Sequence, residues 1–273
     1  MTAFVSALAS VLVLAAEPAP APAAPEPFNV LGERTLFEPP LAHPRSPEFA
    51  LLVILNAGSD RVTGVMGSRI PFLNFHTGDL HVQIGFDAGV WTDLRMVSNV
   101  FGFPLTAVDY LFGVPFMAKY GPFSASLELS HISAHLGDGV LMPRDPIKYT
   151  REFARLVVAY ALTTHELALR FYAGGQLLLH TVPQVPPGAA EVGVEARYER
   201  WAAVQPYVAL TGLYHQDTGT FDVGSQLGVF LASASSRAFS FRFAVAGYWG
   251  SDRRGQFFGE SIGRVTAGIY GRY

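Results

Sequence analysis

The chain has no cysteine, which excludes a disulfide framework, a thiolate metal site and a lipoprotein anchor. Charge is scarce: 15% of the residues are charged and the net charge is −3, so there is no basic footprint for nucleic acid. Beyond the N-terminus no apolar run reaches the ~20 residues that a membrane-spanning helix needs, although half of the residues are hydrophobic. High hydrophobicity without long runs is the pattern of a transmembrane β-barrel, in which lipid-facing and lumen-facing residues alternate. The 27 Gly and the 13% aromatic content fit that pattern, and 273 residues suffice for one large barrel or two small domains.

Two unlike segments come first. Residues 2–16 (TAFVSALASVLVLAA) form an apolar stretch of signal-peptide length ending in small residues, with no Lys or Arg ahead of it. Residues 17–27 (EPAPAPAAPEP) are a Pro/Ala spacer that would stay extended. The expected organisation is a signal peptide over 1–16, a periplasmic N-terminal segment over 17–45 and a barrel over 46–273.

From there the chain alternates. Leu80, Val82, Ile84, Phe86, Ala88 and Val90 share one strand face, against His81, Gln83 and Asp87 on the other. Ala190, Val192, Val194, Ala196 and Tyr198 oppose Glu191, Glu195, Arg197 and Glu199. Phe239, Phe241, Phe243 and Val245 oppose Arg242. The final segment places Val265, Ala267 and Ile269 outward and Arg264, Thr266 and Arg272 inward, stops on the aromatic Tyr273, and should pair with a first strand near Phe49–Leu55. Segments near 47–56, 61–72, 151–163 and 203–215 alternate less clearly.

Together these give an antiparallel barrel of about twelve strands, an even number as in bacterial single-chain barrels. Short turns at 76–78, 120–122, 163–165, 199–201 and 234–236 belong on the periplasmic side, and the long gaps at 137–149 and 250–260 on the extracellular side. The C-terminal strand is the segment by which barrel-assembly machinery would recognise the chain. Lipid and lipopolysaccharide are the expected surroundings, in the outer membrane.

The polar faces then point into the lumen. Asp87, Glu128, Glu166, Glu191, Glu195 and Asp222 mix there with Arg170, Arg197, Arg242 and Arg264. Mixed signs predict mutual ion pairs filling a structural barrel or a narrow passage; a single-sign ring would argue for ion selection.

Ser130 to Asp138 (SHISAHLGD) is the polar exception on an apolar chain. His131, Ser133 and His135 alternate and so share a face. With the register unbroken from Phe123 onward, that face is the lipid side. A β-bulge near Ser130 would return the three to the lumen. A His and a Ser in reach of each other are the elements of nucleophilic catalysis, which makes Ser133, His131, His135 and Asp138 the candidate catalytic residues. Metal binding by His131 with His135 is disfavoured, because i and i+4 lie ~13 Å apart along a strand.

In the outward arrangement, His131 and Ser133 resemble the His-x-Ser pair of outer-membrane phospholipase A, carried on the outer face of a twelve-stranded barrel. That resemblance implies a lipid hydrolase in which His131 is the base and Ser133 the nucleophile. A polar residue on the next strand would orient the His; Asp145, Thr150 and Glu152 are the candidates. Calcium would enter under this alternative alone, and no other cofactor is expected.

Over nearly its whole mature length the chain also resembles an uncharacterised family of bacterial outer-membrane barrels. The matching stretches are Pro40–Arg45, His131–Asp138, Tyr149–Glu152, Phe171–Gly175 with Gly193–Glu195, and Gly255–Phe258. Gly139 and His43 stand where that family tends to carry acidic residues. The resemblance implies fold and location and supplies no activity.

Overall fold

The computed structural model describes residues 28–30, 34–56, 61–96, 102–140, 145–201, 203–231 and 239–272. The signal segment, the Pro/Ala stretch, the turn at 234–236 and Tyr273 lie outside these residues.

A short strand, β1 (Phe28–Val30), precedes the wall. The wall itself has twelve strands: β2 (Phe49–Ile54), β3 (Arg61–Thr77), β4 (Leu80–Arg95), β5 (Leu105–Tyr120), β6 (Phe123–Leu136), β7 (Tyr149–Thr163), β8 (Leu167–Val182), β9 (Gly188–Tyr198), β10 (Val204–His215), β11 (Thr220–Leu231), β12 (Ser240–Ser251) and β13 (Ser261–Arg272). Each pairs antiparallel with its chain neighbour, and β13 pairs with β2, so the sheet closes. Closure removes the free edges that an open sheet would leave unpaired. The first-strand pairing expected of the C-terminal strand is present, running from Gly271 opposite Phe49 to Thr266 opposite Ile54.

The connections divide by length. At one end β3–β4 and β5–β6 are joined by two residues each, with Gly78 (φ 57°) and Gly121 (φ 55°) in the left-handed conformation that such tight turns ask of glycine. At the other end lie the connection between β6 and β7 and the one between β12 and β13, which carries the 3-10 turn Gly255–Phe257. No helix among the described residues is long and apolar enough to cross a membrane; the chain would cross with strands.

The outer face carries Leu51, Met66, Phe86, Phe112, Leu127, Leu156, Leu227, Phe241, Phe243 and Ile269, all exposed. The inner face carries the buried charges. Arg69 bonds Asp87 (2.5 Å) and Glu128 (2.7 Å), while Arg155 bonds Glu128 (2.9 Å) and Glu191 (2.6 Å). Arg254 and Arg264 converge on Asp93, at 2.5 and 2.9 Å.

The largest departure from the expected organisation concerns residues 34–48. The spacer reading leaves the chain up to residue 45 in the periplasm, whereas from 34 onward it runs inside the lumen and then enters the wall as β2. Leu36 donates its backbone N–H to Gln83 (3.0 Å), Leu41 to Glu195 (2.7 Å), and Arg45 pairs with Asp109. Glu48 accepts from Arg242 (2.6 Å) and Arg272 (2.8 Å). Phe37 is fully buried among Met117, Val157, Ala159 and Tyr172, and Leu41 and Ala42 pack with Ala50, Tyr207, Ala209 and Tyr270. The physical reason is reciprocal satisfaction. The wall offers charges that need partners and apolar inward side chains that need cover, and this segment supplies both.

Candidate active site on the outer face

Strand β6 runs without a bulge from Phe123 to Leu136 and pairs in continuous register with β5 and β7. Ser126, Glu128, Ser130, Ile132 and Ala134 are buried inward. His131, Ser133 and His135 therefore stand on the outer face, and the bulge considered near Ser130 is absent.

Glu152 of β7 lies directly opposite His131 in the register. Its Oε1 is 3.0 Å from His131 Nδ1. A carboxylate only accepts, so Nδ1 carries the proton and Nε2 is left as a base. Ser133 is two residues along on the same face, and its own register partners are Tyr110 and Thr150. Of the three candidates for the orienting role, Glu152 makes the bond; Thr150 faces Ser133, and Asp145 lies in the connection before β7.

The remaining carboxylate oxygen, Oε2, accepts from Nδ1 of His180 on β8. His180 is opposite Glu152, so His131, Glu152 and His180 form one row across three strands. The phase of β8 alone does not put His180 there. Tyr172 and Leu178 are buried inward, and strict alternation would send His180 inward as well. The register shifts between Glu152, opposite His180, and Phe153, opposite Leu178. This β-bulge makes Leu179 an extra residue, turns His180 outward and returns Thr181 to the lumen. The run Leu177-Leu178-Leu179 is the trace that it leaves in the sequence.

The other candidates separate from this row. His135 faces outward but rests its ring edge-on against Tyr110, centroids 5.8 Å apart. Asp138 is exposed in the connection after β6. Among the inward candidates, Asp87, Glu128, Glu191, Asp222 and Arg242 are buried. Arg170 pairs with Glu195 (3.2 Å), and Arg264 reaches Asp93. Arg197 is half-exposed at the short-turn mouth and bonds Glu199. Glu166 departs from the expectation: it sits in the turn before β8, exposed, and pairs with Arg200 (2.7 Å). A turn residue has no wall face to obey, which is why alternation misplaces it.

The bonds inside the lumen and the row outside it are built differently. Arg155 and Glu128 expose 8% and 7% of their side chains, whereas His131, Glu152 and His180 expose 42%, 40% and 56%. The row is reachable from outside the wall, next to the exposed ring of Phe112, which lies opposite His131.

A family model matches residues 17–273. The chain belongs to DUF1207, a family of proteins of unknown function. No curated protein matches it. Among solved structures, this DUF1207 barrel is similar to outer membrane phospholipase A from Escherichia coli. The TM-score is 0.50 at 12% identity, covering 84% of this chain and 92% of that one. It is also similar to the Salmonella typhi outer membrane phospholipase dimer with bound calcium. There the TM-score is 0.51 at 12% identity, covering 88% and 94%. At this identity the likeness shows the fold: an all-β, closed, twelve-stranded barrel of the bacterial outer-membrane type.

Proposed function

We propose that this protein is a lipid acyl-ester hydrolase of the outer leaflet of the bacterial outer membrane, with Ser133 as nucleophile, His131 as general base and Glu152 as the residue that orients it. One observation carries the reading: the unbroken register of β6 exposes His131 and Ser133 on the outer face, with Glu152 bonded to His131 Nδ1 at 3.0 Å. Bacterial barrels keep short turns in the periplasm, so the long-loop end, where the row lies, is taken as the cell exterior. Residues 1–16 then serve export, and the C-terminal strand engages the assembly machinery.

The chemistry follows from the arrangement. Ser133 Oγ attacks the ester carbonyl as His131 Nε2 takes its proton, and Glu152 stabilises the imidazolium through Nδ1. The acyl–oxygen bond breaks, His131 returns the proton to the leaving alkoxide, and an acyl-serine remains. Water, deprotonated by the same Nε2, releases a fatty acid and restores Ser133. Substrate arrives from the membrane plane, where Phe112 and Leu129 give acyl chains an apolar surface beside the row.

The Salmonella neighbour holds calcium, an ion that takes 6–8 oxygen ligands. Here both Glu152 oxygens are occupied by histidines. Among the described residues, no group of three His, Cys, Asp or Glu side chains is placed to hold a metal. The proposed steps route nothing through a metal.

The test is acyl release from vesicles of phospholipid and lipopolysaccharide containing the reconstituted barrel. Release by wild type that Ser133→Ala abolishes is expected; equal release by both, or none from a folded barrel, overturns the assignment. Conductance of the same preparation addresses the narrow passage. Residues 34–48 and the lumen ion pairs support a silent bilayer.

A further inference from the structure

We propose that His180 is a positioning residue that clamps Glu152 against His131; the inference rests on the hydrolase reading and names how its base is held in register. Glu152 is exposed, on a flexible side chain. An exposed carboxylate held by a single partner gains little over water, since solvent screens such a pair and its side chain loses freedom on forming it. Glu152 has two partners, one for each oxygen: His131 Nδ1 on Oε1 and His180 Nδ1 on Oε2. Because the partners sit on the two flanking strands, a rotation that relieves one bond breaks the other. The carboxylate is thereby fixed across the row, and with it the His131 tautomer that leaves Nε2 free for Ser133.

The bulge is the second, independent observation. Without it, β8 would send His180 into the lumen, opposite Arg151. One unpaired residue in β8 interrupts the ladder at the level of Glu152, and its effect is to bring an imidazole out to that carboxylate. Bulges that re-aim a side chain cluster next to active sites. The charged or titratable groups that meet Glu152 are His131 and His180, one from each flanking strand.

His180→Ala and His180→Asn separate positioning from a merely structural part. The Asn amide nitrogen occupies about the place of Nδ1 and can donate to Oε2. In His180→Ala, kcat for Ser133-dependent release should fall about ten- to a hundredfold, the usual penalty for a misplaced catalytic group, with KM unchanged. His180→Asn should recover most of that loss. In parallel, 15N NMR of His131 in detergent micelles should show Nδ1 protonated in wild type and in His180→Asn, and a mixture of tautomers in His180→Ala. Unchanged kcat and an unchanged tautomer in His180→Ala would overturn the proposal. So would His180→Asn being as impaired as His180→Ala in both readouts. If wild type releases no acyl groups, the hydrolase reading fails and the NMR comparison still decides the clamp. If His180→Ala does not fold, His180→Gln takes its place: its longer amide misses Oε2, so it should lose the tautomer that His180→Asn keeps, and equal spectra count against the clamp.

Discussion

Strands β6 to β9 carry two polar clusters on opposite faces of the same wall, and the contrast between them separates structure from chemistry. Inside, Arg155 bonds Glu128 and Glu191, and both oxygens of Glu191 meet the guanidinium in a fork. Such pairs are buried, geometrically fixed and mutually neutralising, and they leave nothing for a substrate. Outside, Glu152 bonds two imidazoles whose Nε2 atoms stay free, on a half-exposed surface. Histidine is the side chain whose charge changes near neutral pH. The inner cluster fills the lumen; the outer one can move protons.

Mutations on the two faces should have opposite consequences. Arg155→Met should cost about 3–5 kcal/mol of stability, because it leaves Glu191 buried and uncompensated; urea unfolding of the reconstituted barrel measures this, while hydrolysis per folded molecule should stay near wild type. Phe241→Arg and Val194→Arg, on the apolar outer face, should each cost ~2–4 kcal/mol if they face mid-membrane lipid, and near-neutral results in both would reverse the assignment of faces. Glu152→Gln should show the opposite profile to Arg155→Met: activity down roughly a hundredfold as the base loses its tautomer, stability changed by under about 1 kcal/mol.

The smallest effect concerns pH and the lumen segment. Burial, assisted by Arg155, holds the His43 imidazole well below its ordinary pKa of 6.5, against the opposing pull of Glu128; Arg45 and His215 also lower it. Its Nδ1 accepts the backbone N–H of Arg45 (3.1 Å), a role open to the neutral ring. A histidine depressed in the folded state contributes stability that is complete above pH 6.5 and is lost as pH falls from there towards the folded pKa. Corrected for the intrinsic slowing of amide exchange at lower pH, the hydrogen-exchange protection of residues 34–48 should fall on acidification by at most about tenfold per pH unit, and His43→Gln should flatten that response.

Much of the wall was legible because lipid on one side and charge on the other force a period of two, as in β4, β9 and β12. The segments that alternate poorly have particular reasons. In β7 and β10, Phe153, Val157, Ala159 and Ala209 are apolar yet face inward, packed in buried clusters, some of them with residues 34–48. In β3, a register shift between Pro71 and Leu73 reverses the phase. The lumen segment itself follows a Pro-rich stretch and has no periodicity to betray it. Half of the candidate site was readable: the phase of β6 pointed His131 and Ser133 outward unless a bulge intervened near Ser130, and Glu152 stood among three candidates. His180 was hidden by a bulge, since alternation counted from Leu167 points it the wrong way. His135 and Asp138 shared the motif without sharing the row.

Under the proposed function, Ser133 is an activated nucleophile on the outer face. Incubation of the folded barrel in micelles with a fluorophosphonate, followed by peptide mass mapping, tests this most directly. A single adduct on Ser133, slowed strongly in Glu152→Gln and absent in His131→Ala, is the predicted result. A folded barrel that leaves Ser133 unmodified, or that reacts equally fast without His131, would contradict it.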